Sequence, residues 1–532
     1  MRLRQPSAML GSETHLRLTL EGCHVQIQDG FKRIVERLVS AGWQLDPGAF
    51  DLLQTSADKL NQDELSNELL VVAKSKGPRQ RTIDRSVVEE TLNRLLPPAK
   101  SVQVSEPVRV RIPYAAEIES DIKVLRDPSN AAGFGGSIED FNLHFRDRFS
   151  KLREILQRRS DARDARTISD ALGAQLNQRV KFIAMIMEKR ERGGKLILTV
   201  DDLGDSAYIL VQSDRDRQLY DMAVRAPLDQ VVCIEAVRGR GDLLVAEKIV
   251  LPDIPDRRPR GTQDEVYAVL VSDVHVGSRK FLKDAFGRAI LWLNGKVGSP
   301  QQVHVAQRAK YLIIAGDLVD GIGVYPRQED ELSITDIYEQ YRFAAQFIEE
   351  IPDYIEVILI PGNHDGVRQA LPQPAIPKEF AEPVYEARSV ASLGNPCELR
   401  IHGVHFLLHH GRSLEDLLTS APDMSFSHPE KAMELELKCR HLAPEYGKRT
   451  SIAPLKVDHL VIQEAPDVFH SGHIHVNGWG SYRGTLIVNS GAWQSQTDYQ
   501  QRMGLEPTPG RLPVVNLQTL KLGVTDFISG GV

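Results

Sequence analysis

VYAVLVSDVHVG (266–277) runs from an apolar stretch into Asp273, His275 and a glycine, and the C-terminal half of the chain repeats that grammar. YLIIAGDLVDG (311–321) ends in Asp317 and Asp320, VILIPGNHDG (357–366) in Asn363, His364 and Asp365, and HFLLHHGRS (405–413) in His409 and His410. DVFHSGHIHVNG (467–478) delivers His473 and His475, and TLIVNSGAW (485–493) closes the series near Asn489 and Ser490. Short Val/Ile/Leu runs alternating with loops and helical spacing predict an α/β domain over residues 261–532. In α/β sheets ligands gather at the carboxyl ends of the strands, so six such endings can build one site.

Residue type says what that site would hold. Carboxylates with imidazoles and one amide, and no thiolate, suit borderline divalent ions such as Mn²⁺, Fe²⁺, Zn²⁺ or Ni²⁺ rather than Cu(I) or an all-oxygen Ca²⁺ site. The donors are too many for one ion. Two ions sharing a carboxylate, about 3.5–4 Å apart, would use them all and would clamp the attacking and leaving oxygens of a phosphoryl displacement. His409 and His410 are adjacent on a strand and point to opposite faces, so only one can meet the metals; His410, directly before Gly411, is the choice. Asp320 is expected behind the ligands or as a cap. His402, His405, His441, His459 and His470 read as packing or surface histidines.

Working outward, 13 of the 16 histidines follow residue 264, which places the chemistry in the second half of the 532 residues. That length exceeds one hydrophobic core and predicts two to four domains. Lys+Arg 65 against Asp+Glu 72 gives a net charge of −7, which excludes a histone-like basic binder and leaves any nucleic-acid contact to local patches or another subunit. Cys23, Cys233, Cys397 and Cys439 are far apart with no CxxC pair, as in a reducing cytoplasm, and no stretch is apolar enough for a signal h-region or a membrane span.

Helical spacing of Ile34, Val35, Leu38 and Val39, then Leu65, Leu69 and Val72, then Val87, Val88, Leu92 and Leu95 predicts a small helical domain over 1–97, stopped by Pro97-Pro98. Its basic run, Lys74, Lys76, Arg79, Arg81 and Arg85, reads as a solvated face. Residues 98–137, ending in DPSNAAGFGGS, have the composition of a flexible linker. The segment 138–260 opens with a helical run, IEDFNLHFRDRFSKLREIL, and then changes period to two, with turns at Gly193-Gly194 and Gly239-Arg240-Gly241. About five strands in such a span predict a small barrel of the oligonucleotide/oligosaccharide-binding (OB) type. With only Phe182 and Tyr208 available as stacking aromatics, a spacer or protein-contact role is the reading for that barrel.

The ordered set DxH, GDxxD, GNHD, HG and GHxH resembles the calcineurin-like metallophosphoesterase superfamily. The resemblance implies a two-sheet αββα domain in which Asp273, His275, Asp317 and His475 hold one metal. It implies that Asp317, as the bridge, with Asn363, His410 and His473, holds the other. It makes His364 a non-ligand acid that protonates the leaving oxygen, oriented by Asp365, with a metal-activated water in place of a Ser or Cys nucleophile.

A narrower resemblance rests on IEDFNLHFRDRF (138–149), GDLLVAEKIVLPDIP (241–255), VSDVHVGSR (271–279), HHGRS (409–413), HLAPEYGK (441–448) and FHSGHIHVNG (469–478). Together these are similar to the small, exonuclease subunit of the archaeal D-family DNA polymerase. That family implies a 3′→5′ proofreading exonuclease with Mn²⁺ or Mg²⁺, releasing nucleoside 5′-monophosphates from a DNA primer-template 3′ end. It implies a large catalytic polymerase subunit as partner and a place in the cytoplasm at the nucleoid. The competing readings are a silent structural B-subunit like those of eukaryotic replicative polymerases, whose metal ligands have decayed, and a stand-alone phosphoesterase. The intact ligand-type residues argue against the first, and the long N-terminal half against the second.

Overall fold

The computed structural model describes residues 29–56, 61–76, 81–95, 112–131, 133, 135–420 and 423–528. The chain divides into two compact units, Met1–Arg111 and Ile112–Val532. In the first, helices α1 (Asp29–Ser40), α2 (Pro47–Ser56), α3 (Gln62–Ser75) and α4 (Arg85–Leu95) enclose Ile34, Leu38, Leu53, Leu65, Leu69, Val72 and Val88. Two short strands, β1 (Gln44–Leu45) and β2 (Thr82–Ile83), pair in parallel between them. The Asn61 side chain accepts from Asp63 N and Glu64 N and so starts α3. Of the basic run, Lys76 pairs with Glu90 and Arg85 with Glu89 at the surface, as a solvated face requires. Arg79, Cys23 and Pro97-Pro98 lie outside the described residues.

The second unit begins with a correction to the sequence reading. Residues 98–111 lie outside the described residues, but within the remainder of the expected linker β3 (Ile122–Arg126) pairs antiparallel with a strand some 270 residues later, and Arg126 Nη2 meets Glu398 Oε1 at 2.6 Å. Composition marks as linker a segment that cannot bury itself; here the buried partner surface is supplied from a distant part of the chain.

Helix α5 (Ile138–Gln157) opens with a capping box at Ser137 and Asp140. A short α6 (Ile168–Leu172) leads to β4 (Arg179–Arg192), β5 (Lys195–Asp201) and β6 (Ser206–Gln212), then α7 (Arg217–Arg225), β7 (Val231–Arg238) and β8 (Leu243–Val250). The five strands close a barrel in the order β4-β5-β6-β8-β7, with only β6 and β8 parallel. Gly193 and Gly194, at φ 57° and 73°, make the β4–β5 turn where the sequence reads a hairpin. Two features differ from that reading. Asp216 caps an unforeseen helix, α7, between the third and fourth strands, and Phe182 is fully buried in the barrel core, which leaves Tyr208 as the exposed ring of the pair.

The C-terminal half contains β9 (Tyr267–Val271), α8 (Lys283–Leu293), α9 (Pro300–Ala306), β10 (Ala309–Ala315), α10 (Ile337–Glu349), β11 (Glu356–Ile360), α11 (Lys378–Ala387) and β12 (Val390–Ser392). It continues through β13 (Cys397–Ile401), β14 (Val404–Leu408), α12 (Leu414–Ser420), α13 (Pro429–Cys439), β15 (Val468–Ser471), β16 (Asn477–Tyr482), β17 (Thr485–Ser490), α14 (Asp498–Arg502), β18 (Arg511–Asn516) and β19 (Leu522–Asp526). Two six-stranded sheets result, β12-β11-β10-β9-β18-β19 and β16-β17-β15-β14-β13-β3.

Alternate residues of each strand face opposite ways, and both sets are apolar. Leu270, Ile313 and Ile358 of the first sheet meet Leu399, Phe406 and Val488 of the second between the sheets. Val269, Leu312 and Val357 face outward onto Phe286, Trp292 and Tyr341 of the helices, and Leu407, Phe469 and Ile487 onto Leu417 and Met433. The section is helix, sheet, sheet, helix. The parallel trios β9-β10-β11 and β14-β15-β17 therefore end side by side.

Candidate functional site

All the donor residues read from the sequence come together at those strand ends. Ligand atoms of Asp273, His275 and His475 lie within 4.8 Å of one another, as do those of Asp317, His410 and His473. Asp317 stands between the groups, its Oδ2 3.2 Å from His410 Nε2 and 3.8 Å from His275 Nε2. Asn363 Oδ1 is 3.1 Å from His410 Nε2, which adds the amide to the second group.

The backbone is bent to achieve this. Asp273, His275, Asp317, His473 and His475 all sit at φ between 52° and 69°, in the left-handed region. Such residues are normally uncommon, and each costs about 1–3 kcal/mol, so five in one cluster mark a geometry that the surrounding fold enforces for a purpose. Close approach does the rest: a Cβ on Gly316 would lie 2.5 Å from His410 Nδ1, and one on Gly362 would overlap Asp317 Oδ1.

Hydrogen bonds aim the imidazoles. His410 Nδ1–H donates to the Ala315 carbonyl at 2.9 Å, turning Nε2 toward Asp317. His275 Nδ1 is 2.9 Å from Asp320 Oδ1, which directs its Nε2 to within 3.1 Å of His475 Nε2. Asp320 thus stands behind His275, an arrangement that fixes tautomer and ring orientation. His409 turns away, to Asn395 Oδ1 at 2.9 Å and Ser413 Oγ at 3.0 Å, and burial pulls it down to about 3.

The charges are strongly polarised. Burial opposes ionisation of Asp317, but His410, His364 and His275 outweigh it and hold the carboxyl well below its ordinary value. Burial likewise opposes Asp273, which His475 and His410 bring below the ordinary value. His410 is lowered by burial but lifted more by Asp317, to about 9, so that Nε2 keeps a proton that a bound cation would replace. Asp273 Oδ1 is buried without a hydrogen-bond partner, 3.4 Å from His475 Nε2 and 3.9 Å from His275 Nε2. An ionised buried oxygen facing two imidazole nitrogens is a donor set that fits a divalent cation.

One role changes. Asp365 does not orient His364: it turns inward, accepting from Asp317 N at 2.8 Å, Gly362 N at 2.9 Å and Tyr341 Oη at 3.1 Å, and burial with the Asp317 charge raises it to about 6. The carbonyl of Asp320 stands at His364 instead, accepting from its Nδ1–H at 2.6 Å. Sequence reasoning also missed Glu415, whose carboxylate lies 3.9 Å from His473 Nε2, and Gln500, whose Nε2 is 3.1 Å from His475 Nδ1. Neither follows an apolar run into a glycine, so no local pattern singles them out. Asn489 and Ser490 serve the backbone and Ser272.

Residues 268–475, which contain both donor groups, match the family of the B subunits of DNA polymerases alpha and epsilon. The DNA polymerase II small subunit of Archaeoglobus fulgidus is 38% identical over 90% of this chain and 95% of its own length. That of Methanothermobacter thermautotrophicus is 36% identical over 92% and 98%, and that of Pyrococcus furiosus 39% over 73% and 64%. With similarity of this extent spanning both the barrel and the donor cluster, the chain belongs to the archaeal, D-family DNA polymerase II small-subunit family.

Proposed function

We propose that this small subunit is a metal-dependent 3′→5′ exodeoxyribonuclease that proofreads for a large catalytic polymerase subunit, releasing nucleoside 5′-monophosphates. The observation that carries the proposal is the pair of donor groups with Asp317 Oδ2 between them, 3.2 Å from His410 Nε2 and 3.8 Å from His275 Nε2, and with Asp273 Oδ1 buried and unpartnered beside them. Asp273, His275, Asp317 and His475 would hold one divalent ion, and Asp317, Asn363, His410 and His473 the other, with Mn²⁺ the best fit to a mixed carboxylate–imidazole set. Two such ions would neutralise the phosphate and supply a water of near-neutral pKa.

The chain's own residues supply the remainder. His364, half-buried beside His275, has Nδ1 committed to the Asp320 carbonyl, which leaves Nε2 to protonate the departing 3′-oxygen. Asp365 holds the turn that presents Asn363 and His364. A frayed, mispaired 3′ end is easier to draw into such a site than a paired one. In this reading the four-layer domain is a metallophosphoesterase and the barrel, whose five strands close in the order first-second-third-fifth-fourth, is of OB type. Large subunit and DNA are its partners.

The test separates ligand from acid. Asp317→Asn is expected to abolish binding of both Mn²⁺ ions by isothermal titration, whereas His364→Ala keeps both and loses rate. Loss of metal in His364→Ala would contradict its role. A second reading, a silent structural subunit, is favoured by the match to the alpha/epsilon B-subunit family; it predicts no metal-dependent cleavage at all.

A further inference from the structure

A cavity of about 550 Å³ opens beside the donor cluster, and His364 forms part of its wall. Val324, Ile337, Val367 and Phe380 give it apolar lining, and Arg412, Arg368 and Asp365 are its charged residues. Gly366 lets this wall close on the loop that carries His364, since a Cβ there would lie 3.0 Å from the Phe380 ring. Tyr338 stacks on Phe380 with ring centroids 5.8 Å apart, fixing the ring in place. Arg412 follows directly on His410-Gly411 and bonds a neutral partner, the Gln369 side-chain oxygen. Among the described residues no carboxylate pairs with Arg412.

An apolar wall with an aromatic ring, a cation with no counter-ion and a volume in the range of small-ligand sites suit a base and sugar joined to a phosphate. Resting on the phosphodiesterase reading above, the position of His364 decides which nucleotide this is. As a water oxygen bonds to phosphorus the P–O3′ bond breaks, its electron pair stays on O3′ and the proton comes from His364, so the sugar nearest His364 is the one that keeps O3′. We propose that this cavity holds the penultimate nucleoside of the strand, the new 3′ end after cleavage, with Arg412 on that nucleoside's 5′-phosphate. Proofreading then senses the last retained base as well as the one removed.

The test is binding of 5′-fluorescein single-stranded decanucleotides to the full chain by anisotropy, in EDTA so that nothing is cleaved. Removing the base at the penultimate position is expected to weaken binding about tenfold, and removing the terminal base less than about threefold. Arg412→Gln is expected to weaken the intact strand about fivefold and to lower the salt slope by about one counter-ion. Circular dichroism melting checks that the variant is folded. Equal effects of the two abasic positions, or an Arg412→Gln variant that melts normally and binds like wild type, would overturn the assignment. Hydrolysis of bis(4-nitrophenyl) phosphate with Mn²⁺, a substrate without a base, reads the phosphodiesterase chemistry separately. A chain inert to that ester yet sensitive to the penultimate base keeps the cavity and loses the enzyme; the converse loses the cavity alone.

Discussion

Asp317 and His364 are neighbours, His364 N donating to Asp317 Oδ1 at 2.8 Å, yet one is placed as a ligand and the other as an acid, and their variants should differ in kind. The Asp317 carboxylate faces His410 and His275 on the two sides of the centre, so Asp317→Asn should lower cleavage by about a thousandfold or more through loss of metal. His364→Ala should lower kcat about a hundred- to ten-thousandfold with metal stoichiometry intact, measured on the same protein by metal analysis. Most of this centre was legible in the sequence, because each donor follows an apolar strand and precedes or follows a glycine. What the sequence hid were contacts made across it. The partner of His364 is a carbonyl 44 residues away, and the carboxylate next to it in sequence, Asp365, is spent on the backbone of Gly362 and Asp317.

The turn after β11 has room for Asp317 only because residue 362 lacks a Cβ, so Gly362→Ala should displace that carboxylate, weaken metal binding and destabilise the chain by about 1–3 kcal/mol, read by titration and thermal melting. Helix α5 is tied to the C-terminal domain through a fully buried Asp458, met by Arg148 Nε at 2.8 Å and His441 Nε2 at 2.9 Å. Arg148→Leu removes one partner and leaves buried charge behind, at a loss of about 3–5 kcal/mol. Burial, with the Arg148 charge, depresses His441 to about 4. The unfolded chain, with histidine near 6.5, therefore binds the extra proton first, and stability that is complete above about 6.5 declines as pH falls toward about 4. His441→Asn should flatten that part of a melting-temperature profile. The apolar period revealed α5 itself, but not the tether, since Arg148, in a helix that also carries Arg146 and Arg153, looks like surface.

At the scale of the molecule, the net charge of −7 sets the expectation for DNA. If a large subunit provides most of the phosphate contacts, the isolated chain should bind primer-template weakly and the complex tightly, by anisotropy at matched salt. The order of helical unit, barrel and α/β domain was readable from changes of period along the chain. The route of β3 was not, since its pairing with β13 joins segments some 270 residues apart and no local pattern encodes it. Among the described residues no helix is long and apolar enough to cross a membrane. Catalysis would show in Mn²⁺-dependent digestion of a 5′-labelled primer-template, matched and 3′-mismatched, by the chain beside Asp317→Asn, alone and with the large subunit. Stepwise shortening from the 3′ end, faster on the mismatch and absent in the variant, is the predicted result. No shortening in either setting, or shortening that survives Asp317→Asn, would contradict it.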